Sequence, residues 1–453
     1  MAVVQAPRTP VRFAPSVLLF GGGTILAPVP DAGVFSALTL RGVTGNASVD
    51  PASSTVMQSL SQSPTDPAFV QDPYPFYERA RALGPVFFWQ EYGLAGCVDH
   101  ALVNRLLRDR RLGREVPAEK KVPPPDHLAT FYALERHSLL EIEPPDHTRL
   151  RSLVMRAFTS RAIAALAPMI DEMAHALIDA FPAEGSFDLL AAFCEPIPVR
   201  TICRLLGVPE EMAPRLLSWS HAMVAMYQAG RTRAREEAAE AAARDFAAFV
   251  RDLVAERRRR PTEDLIGRLV TAESEGRRLT TDELVTTVIL LLNAGHEATV
   301  HAFGNGIKAL IEHGFWTEAT FADEAATGRA VEEILRFDPP LHLFTRHVHE
   351  PLEIGGHPFA RGDEIGLLLA AAGRDPAVWE APARFDPSRP VRPHLAFGAG
   401  IHFCIGAPLA RLELMRALPI LQRRCPDLAL AGRPRYAMRY HFRGLEELMV
   451  CRR

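Results

Sequence analysis

Thr280-Thr281-Asp282-Glu283 opens a long helical pattern, an apolar run from Leu284 through Leu310. Thr280 and Glu283 have the spacing of a capping box, in which each side chain serves the other residue's backbone N–H. Midway the run carries Asn293-Ala294-Gly295-His296-Glu297-Ala298-Thr299. An acid and a hydroxyl inside an apolar helix need a reason, because unpaired burial is costly. Two readings stand: a kink at a crowded helix crossing, or a place where Ala294-Gly295 lets a flat ligand approach the backbone beside polar groups.

The rest of the pattern is mostly helical. Asp72-Pro73-Tyr74-Pro75-Phe76-Tyr77 opens a helix that runs through Arg79 and Arg81, and Asp99 is placed to cap another, Ala101 to Arg108. Ile163 to Phe181 and Glu236 to Arg257 have amphipathic helical period. Pro85 to Trp89 and Leu94 to Val98 are short apolar runs bounded by turn residues, and they predict a hairpin. Residues 111 to 140 lack a period. Residues 1 to 56 also lack one, and Gly21-Gly22-Gly23 and several prolines interrupt them. Arg8 and Arg12 before Val17-Leu18-Leu19-Phe20 suggest a signal peptide, but the apolar stretch is short and ends in glycine. The expectation is a disordered extension over 1–56, or a natural start at Met57, and one mainly α domain with small β-sheets over 57–453.

Composition narrows the function classes. The 453 residues are 48% hydrophobic and 23% charged, with net charge −3, so a large core is available and a general nucleic-acid binder is disfavoured. The basic run Arg257 to Arg260 reads as a solvated helix end. No segment supplies cleanly the ~20 apolar residues of a membrane span, so stable membrane insertion is not expected. Six scattered cysteines without framework spacing fit a reducing cytoplasm.

Candidate chemistry concentrates in Phe397-Gly398-Ala399-Gly400-Ile401-His402-Phe403-Cys404-Ile405-Gly406. Pro408 fits a first helical turn, so Cys404 stands just before a helix N-terminus. Free N–H groups and the helix dipole there favour a thiolate, a nucleophile or metal ligand. No C-x-x-C occurs, which makes zinc and iron–sulfur sites poor readings. A buried structural cysteine and a single-thiolate haem site remain. Further upstream, His147 and Arg151 share one helical face, either as an anion clamp or as a salt-bridged surface. Glu333 and Arg336 stand one turn apart, and an exposed pair of that kind would be worth only ~0.3–0.5 kcal/mol.

The run FGAGIHFCIGAPLAR resembles the haem-binding signature of the cytochrome P450 superfamily in its soluble bacterial form. The resemblance spans residues 66 to 450. It implies the cytochrome P450 fold, with haem b (iron protoporphyrin IX) between the long central helix and the cysteine loop. By that resemblance Cys404 is the iron ligand, and Phe397, Gly398, Ala294 and Gly295 border the haem. His147, Arg151, Arg346 and His402 hold its propionates. Arg149 points elsewhere. Glu297 and Thr299 serve the distal oxygen site, where the family usually has a threonine directly after the acid; here that position is Ala298.

The resemblance further assigns Phe131, Tyr132, Leu290, Ala294, Ala298, Leu343, Phe344 and Phe442 to the substrate pocket. Met223, Met226 and Tyr227 fall in a mobile lid. Glu333, Arg336 and Arg384 form a buried structural network. The implied reaction is oxidation of an apolar small molecule with O2. Electrons come from NAD(P)H through ferredoxin reductase and ferredoxin, docked on a basic patch of Arg411, Arg416, Arg423 and Arg424 that Glu413 dilutes. A peroxide-dependent oxidase and a haem-based sensor are the rival readings.

Overall fold

The computed structural model describes residues 56–452 apart from 229–230 and 275, so the expectation for the N-terminal stretch falls almost wholly outside the described residues. Helices dominate. The central helix, Thr281–Glu312, runs through the molecule, with most of its side chains buried. Its capping box forms as the sequence requires: Glu283 N–H donates to Thr280 Oγ1 at 3.2 Å, and Thr280 N–H to Glu283 at 2.8 Å. Against it pack the Pro196–Leu206, Ala213–Val224 and Arg233–Arg259 helices. The Glu324–Phe337 helix and the Ala407–Arg424 helix, here the cysteine helix, close the other side.

A six-stranded mixed sheet flanks this helical body, in the order 59–60, 86–89, 94–97, 364–368, 343–348, 112–113. The predicted hairpin forms its second and third strands, pairing Val86 with Cys97 and Trp89 with Leu94. The two-residue strand Leu112–Gly113 pairs Gly113 with His347. That register brings Arg114 toward the position of Arg346, and two distant cations meet at one edge.

Several local expectations are corrected. The 163–181 pattern is two helices, Ser160–Ala164 and Ala167–Asp179, because Pro168 offers no N–H to continue the first. Asp99 occupies the cap position but makes no cap bond. Asp375 accepts the His100 N–H instead, at 2.8 Å. Arg257 is not solvated: it is buried, bonds Asp264 at 2.9 Å and donates to the Gly207 carbonyl at 2.7 Å. Among the described residues no single helix is long and apolar enough to cross a membrane.

Candidate functional site

A cavity lies between the central helix and the cysteine loop. Positive-φ glycines shape the loop, with Gly398 at +67° and Gly400 at +72°. A side chain on Gly400 would collide with the Leu107 carbonyl oxygen. Gly406 has φ −77°, so its backbone does not require glycine. Cys404 N–H donates to the Phe397 carbonyl at 3.0 Å, and the N–H groups of Gly406 and Ala407 bond its sulfur.

The thiol opens onto the cavity yet lies deep in the protein. Burial pushes its pKa up, and the two N–H bonds, Arg151 and Arg411 pull it down without overcoming burial. The helix terminus alone therefore does not supply the expected thiolate. A metal ion on the sulfur would, because coordination deprotonates a thiol outright.

One end of the cavity is cationic. Arg114, Arg151, Arg346 and His402 line it. Burial, with Arg114 nearby, lowers the Arg346 pKa to about 9. Its Nη1 donates to the Thr345 carbonyl at 2.8 Å. His147 is buried, its Nε2 has no protein partner, and its ring lies 4.4 Å from that of His402. Burial first, then His402 and Arg151, lower its pKa to about 4. Burial lowers the His402 pKa against the pull of Glu143, to which its Nε2–H donates at 3.0 Å. Arg149 turns away and pairs with Glu283.

Crowded buried cations and an orphaned imidazole nitrogen fit a group with anionic substituents. Apolar walls and a thiol fit the body of a haem. The residues present therefore suit the prosthetic group that the sequence suggests. Arg114 belongs to this end, although the aperiodic segment around it hid it; a two-residue strand register was its only signal.

The opposite wall is the central helix. Leu290, Ala294, Gly295, Glu297, Ala298 and Thr299 all line the cavity. The helix is α-helical throughout this stretch, so the polar break produces no widening to a π-turn. A side chain on Gly295 would press on Ile202 at 3.0 Å, so that glycine serves the helix crossing as well as the cavity.

Glu297 is buried. Its Oε1 takes a hydrogen bond from Arg439 Nη1 at 3.3 Å, and its Oε2 has no protein partner. Burial raises its pKa, against the pull of Arg439 and His221. Glu413, on the cysteine helix, is a second acid on this cavity and was not foreseen as one. It is fully buried, and burial raises its pKa against the pull of the Thr201 hydroxyl.

The upper walls differ from expectation in part. Phe344 and Phe442 border the cavity, as do Met223 and Tyr227. Met226 instead packs in the core. Phe131 and Tyr132 are not on the cavity wall; the next turn of their helix supplies Leu134 and Glu135. Phe131 lies against Tyr132 and Tyr227 instead. Leu343 points into the aromatic cluster under the sheet, because strand side chains alternate; Leu341, Phe344 and Arg346 face the cavity.

Behind the cysteine loop, Arg336 bonds Glu333 twice at 2.7 Å, both side chains buried. Arg384 contributes only its carbonyl, at 3.3 Å, while its side chain is exposed. The further arginine at Glu333 is Arg389, at 3.5 Å. The basic patch is also corrected. Arg411 pairs with Glu332, Arg416 with Asp171 and Arg424 with Asp179.

Known proteins carry the same plan. The family model for cytochrome P450 matches residues 325–425. The cytochrome P450 monooxygenase PikC of Streptomyces venezuelae is 38% identical, over 84% of this chain and 91% of that protein. The polyketide biosynthesis cytochrome P450 PksS of Bacillus subtilis is 34% identical, over 87% of this chain and 99% of that one. The solved structure of P450BioI, in complex with an acyl carrier protein ligated to hexadec-9Z-enoic acid, matches with TM-score 0.80 and 32% identity. It covers 85% of this chain and 99% of its own. Similarity of this extent, along nearly the full length of each relative, places the chain in the cytochrome P450 family, among the monooxygenases of bacteria.

Proposed function

We propose that this monooxygenase oxidises an apolar small molecule, with electrons delivered from NAD(P)H by a separate ferredoxin reductase and ferredoxin. The reading places the work in the cytoplasm. It is carried by one observation: the cavity has Cys404 on one wall, Glu297 on the other, and largely aliphatic and aromatic sides such as Leu134, Leu290 and Phe442. Cys404 would ligate haem b, with Arg114, Arg151, Arg346, His147 and His402 around its propionates. Bound haem supplies the activation of dioxygen, and a thiolate ligand favours O–O cleavage.

The chain's own residues orient the substrate, exclude water and move protons. Glu297 holds a proton more readily than an exposed carboxyl, since burial raises its pKa. Its unbonded Oε2 is the atom that can pass one on. Ala298 offers no hydroxyl, so Thr299, an ordered water or a substrate group completes the relay.

The test uses the haem-loaded full chain with NADPH, ferredoxin and ferredoxin reductase. Candidate substrates are those that displace the Soret band. Product with this system, and loss of both product and the long-wavelength band of the reduced carbonyl complex in Cys404→Ser, support the reading. A normal carbonyl spectrum in Cys404→Ser, or product formed only with added peroxide, overturns it.

A further inference from the structure

Glu297 must be reloaded after each proton it gives, and the cavity is a poor source once an apolar substrate fills it. The groups around Glu297 on its other side are three histidines and an arginine. Arg439 comes from the C-terminal segment and is partly exposed. His221 comes from the Ala213–Val224 helix and is exposed. His296 and His301 come from the central helix and are buried. None of these four borders the cavity, whereas Glu297 does.

Several polar atoms in this cluster are left unbonded. His296 Nδ1 lies 2.9 Å from the Leu292 carbonyl, so Nδ1 carries the proton and Nε2 is a bare acceptor, buried without a partner. The rings of His221 and His296 are in contact, their centroids 5.9 Å apart. His301 Nε2 stands 4.0 Å from Glu297 Oε1, and both its nitrogens lack partners. Its ring lies directly against Gly444, where any side chain would collide with it. His221 is near enough for its charge to act on Glu297, His296 and His301.

Only one of these groups meets both requirements of a proton entrance, contact with solvent and ready exchange. Arginine keeps its proton throughout the working range. Burial holds His296 and His301 neutral, with pKa values lowered to about 4 and about 3. Imidazole in general exchanges protons near neutral pH, and among these imidazoles only that of His221 is exposed.

We propose that His221 is the residue through which solvent protons reach Glu297, entering behind the central helix rather than through the substrate cavity. One proton passes from the His221 imidazolium, through water beside His296 Nε2, to Glu297 Oε2, and solvent reprotonates the imidazole. Arg439 anchors Oε1 and leaves Oε2 free for this transfer. His221 is a relay residue that touches neither haem nor substrate. The inference rests on the reading of Glu297 as the proton donor.

The experiment follows the infrared carboxyl band of protonated Glu297 in the haem-loaded full chain, without substrate. The band is the one missing from Glu297→Gln. After rapid mixing into deuterated buffer, its shift reports how fast that carboxyl exchanges with solvent. In His221→Gln the exchange should slow severalfold, and the band should persist to higher pH because a cationic neighbour is gone. In His221→Lys the cation remains but releases its proton poorly, so exchange should slow while the midpoint stays close to that of the unaltered chain. Mere loosening of the helix contact would speed exchange instead. Unchanged or faster exchange in His221→Gln overturns the proposal. Turnover of Glu297→Gln is a separate measurement: if it is unaffected, the donor reading fails, whatever route the exchange takes.

Discussion

Glu333 and Glu297 are both carboxylates on long helices, and both are almost completely buried. Glu333 has its two oxygens bonded by Arg336, an additional N–H from Asp386 at 2.8 Å, and Arg389 alongside. Arg336 in turn donates to the carbonyls of Gly373, Pro382 and Arg384. Every polar side-chain atom of the Glu333–Arg336 pair is engaged, and the pair ties the Glu324–Phe337 helix to the loops leading toward Cys404. Glu297 has one arginine at 3.3 Å and one oxygen with no protein partner. A fully satisfied buried charge fixes a structure, while a half-satisfied one is costly and has something left to bind. The same residue type thus braces the cysteine side and is available for chemistry on the other.

The largest effect should come from breaking the satisfied pair. Glu333→Gln leaves Arg336 as an uncompensated buried cation, which costs about 3–5 kcal/mol. Chemical unfolding of the haem-loaded protein should show that loss, with less haem retained after purification. A variant as stable as the unaltered chain would show that the backbone carbonyls alone suffice for Arg336.

Glu297→Gln should separate the two sites. Stability should hold, because a poorly paired buried charge has been removed, while product formation should fall about 100-fold or more. Product formed and peroxide released per NADPH consumed are the quantities to measure. Unchanged turnover and coupling would remove Glu297 from the reaction.

A smaller effect is expected at its neighbours. Successive helical residues are about 100° apart, so Thr299 cannot point where Ala298 points in an unwidened helix. Thr299→Ala should therefore lower product less than Glu297→Gln and chiefly divert reducing equivalents to peroxide. Ala298→Thr should keep activity and improve coupling for substrates without a hydroxyl. A Thr299→Ala loss as deep as that of Glu297→Gln would make the threonine the obligatory donor.

The surface ion pairs sharpen the contrast from the exposed side. Arg411 bonds Glu332 at 2.5 and 3.0 Å, and His394 joins it at 3.0 Å. Burial alone would raise the Glu332 pKa, but these partners take it down to about 2. A carboxyl depressed in the folded state adds stability above its unfolded pKa and loses it as pH falls through the folded one. Arg411→Ala should thus move acid unfolding to higher pH, with a change near neutrality of no more than ~1 kcal/mol for so exposed a pair. An acid-unfolding curve that does not move would mean that His394 alone holds Glu332.

What was legible in the sequence was local. The capping box of Thr280 and Glu283, the glycine loop before Cys404 and the one-turn spacing of Glu333 and Arg336 each lie within a few residues. What escaped depends on distant partners. Arg416 and Arg424 looked free because Asp171 and Asp179 lie 245 residues away along the chain. Arg389 escaped, and the resemblance names Arg384 instead, because both sit in a loop where no period says which side chain turns inward. Phe131 and Tyr132 lie one turn before Leu134 and Glu135, and which turn of the helix reaches the cavity is set by packing with distant elements. Leu341 displaces Leu343 because the wall begins before the strand, where Leu341 bridges to Phe442.

The smallest effect, none at all, is expected from starting the chain at Met57. Val56 is 84% exposed, whereas Met57 packs against the sheet cluster. The Gln58 carbonyl already accepts the Phe88 N–H at 2.8 Å, and Ser59–Leu60 pair in parallel with Phe88–Trp89. Gln62 accepts the indole N–H of buried Trp89 at 2.7 Å. Among the described residues, the contacts that anchor this edge of the sheet come from Met57 onward. We propose that residues 57–453 form the complete domain: that shorter chain should take up haem and match the full chain in melting temperature and product formed. A chain starting at Asp66 should do worse, since it loses the edge strand and leaves the Trp89 indole unbonded in the core, at a cost of about 1–3 kcal/mol. Haem uptake lost in the Met57 chain would show that residues before it pack on the domain. Equal stability of the Met57 and Asp66 chains would show that the edge strand contributes nothing.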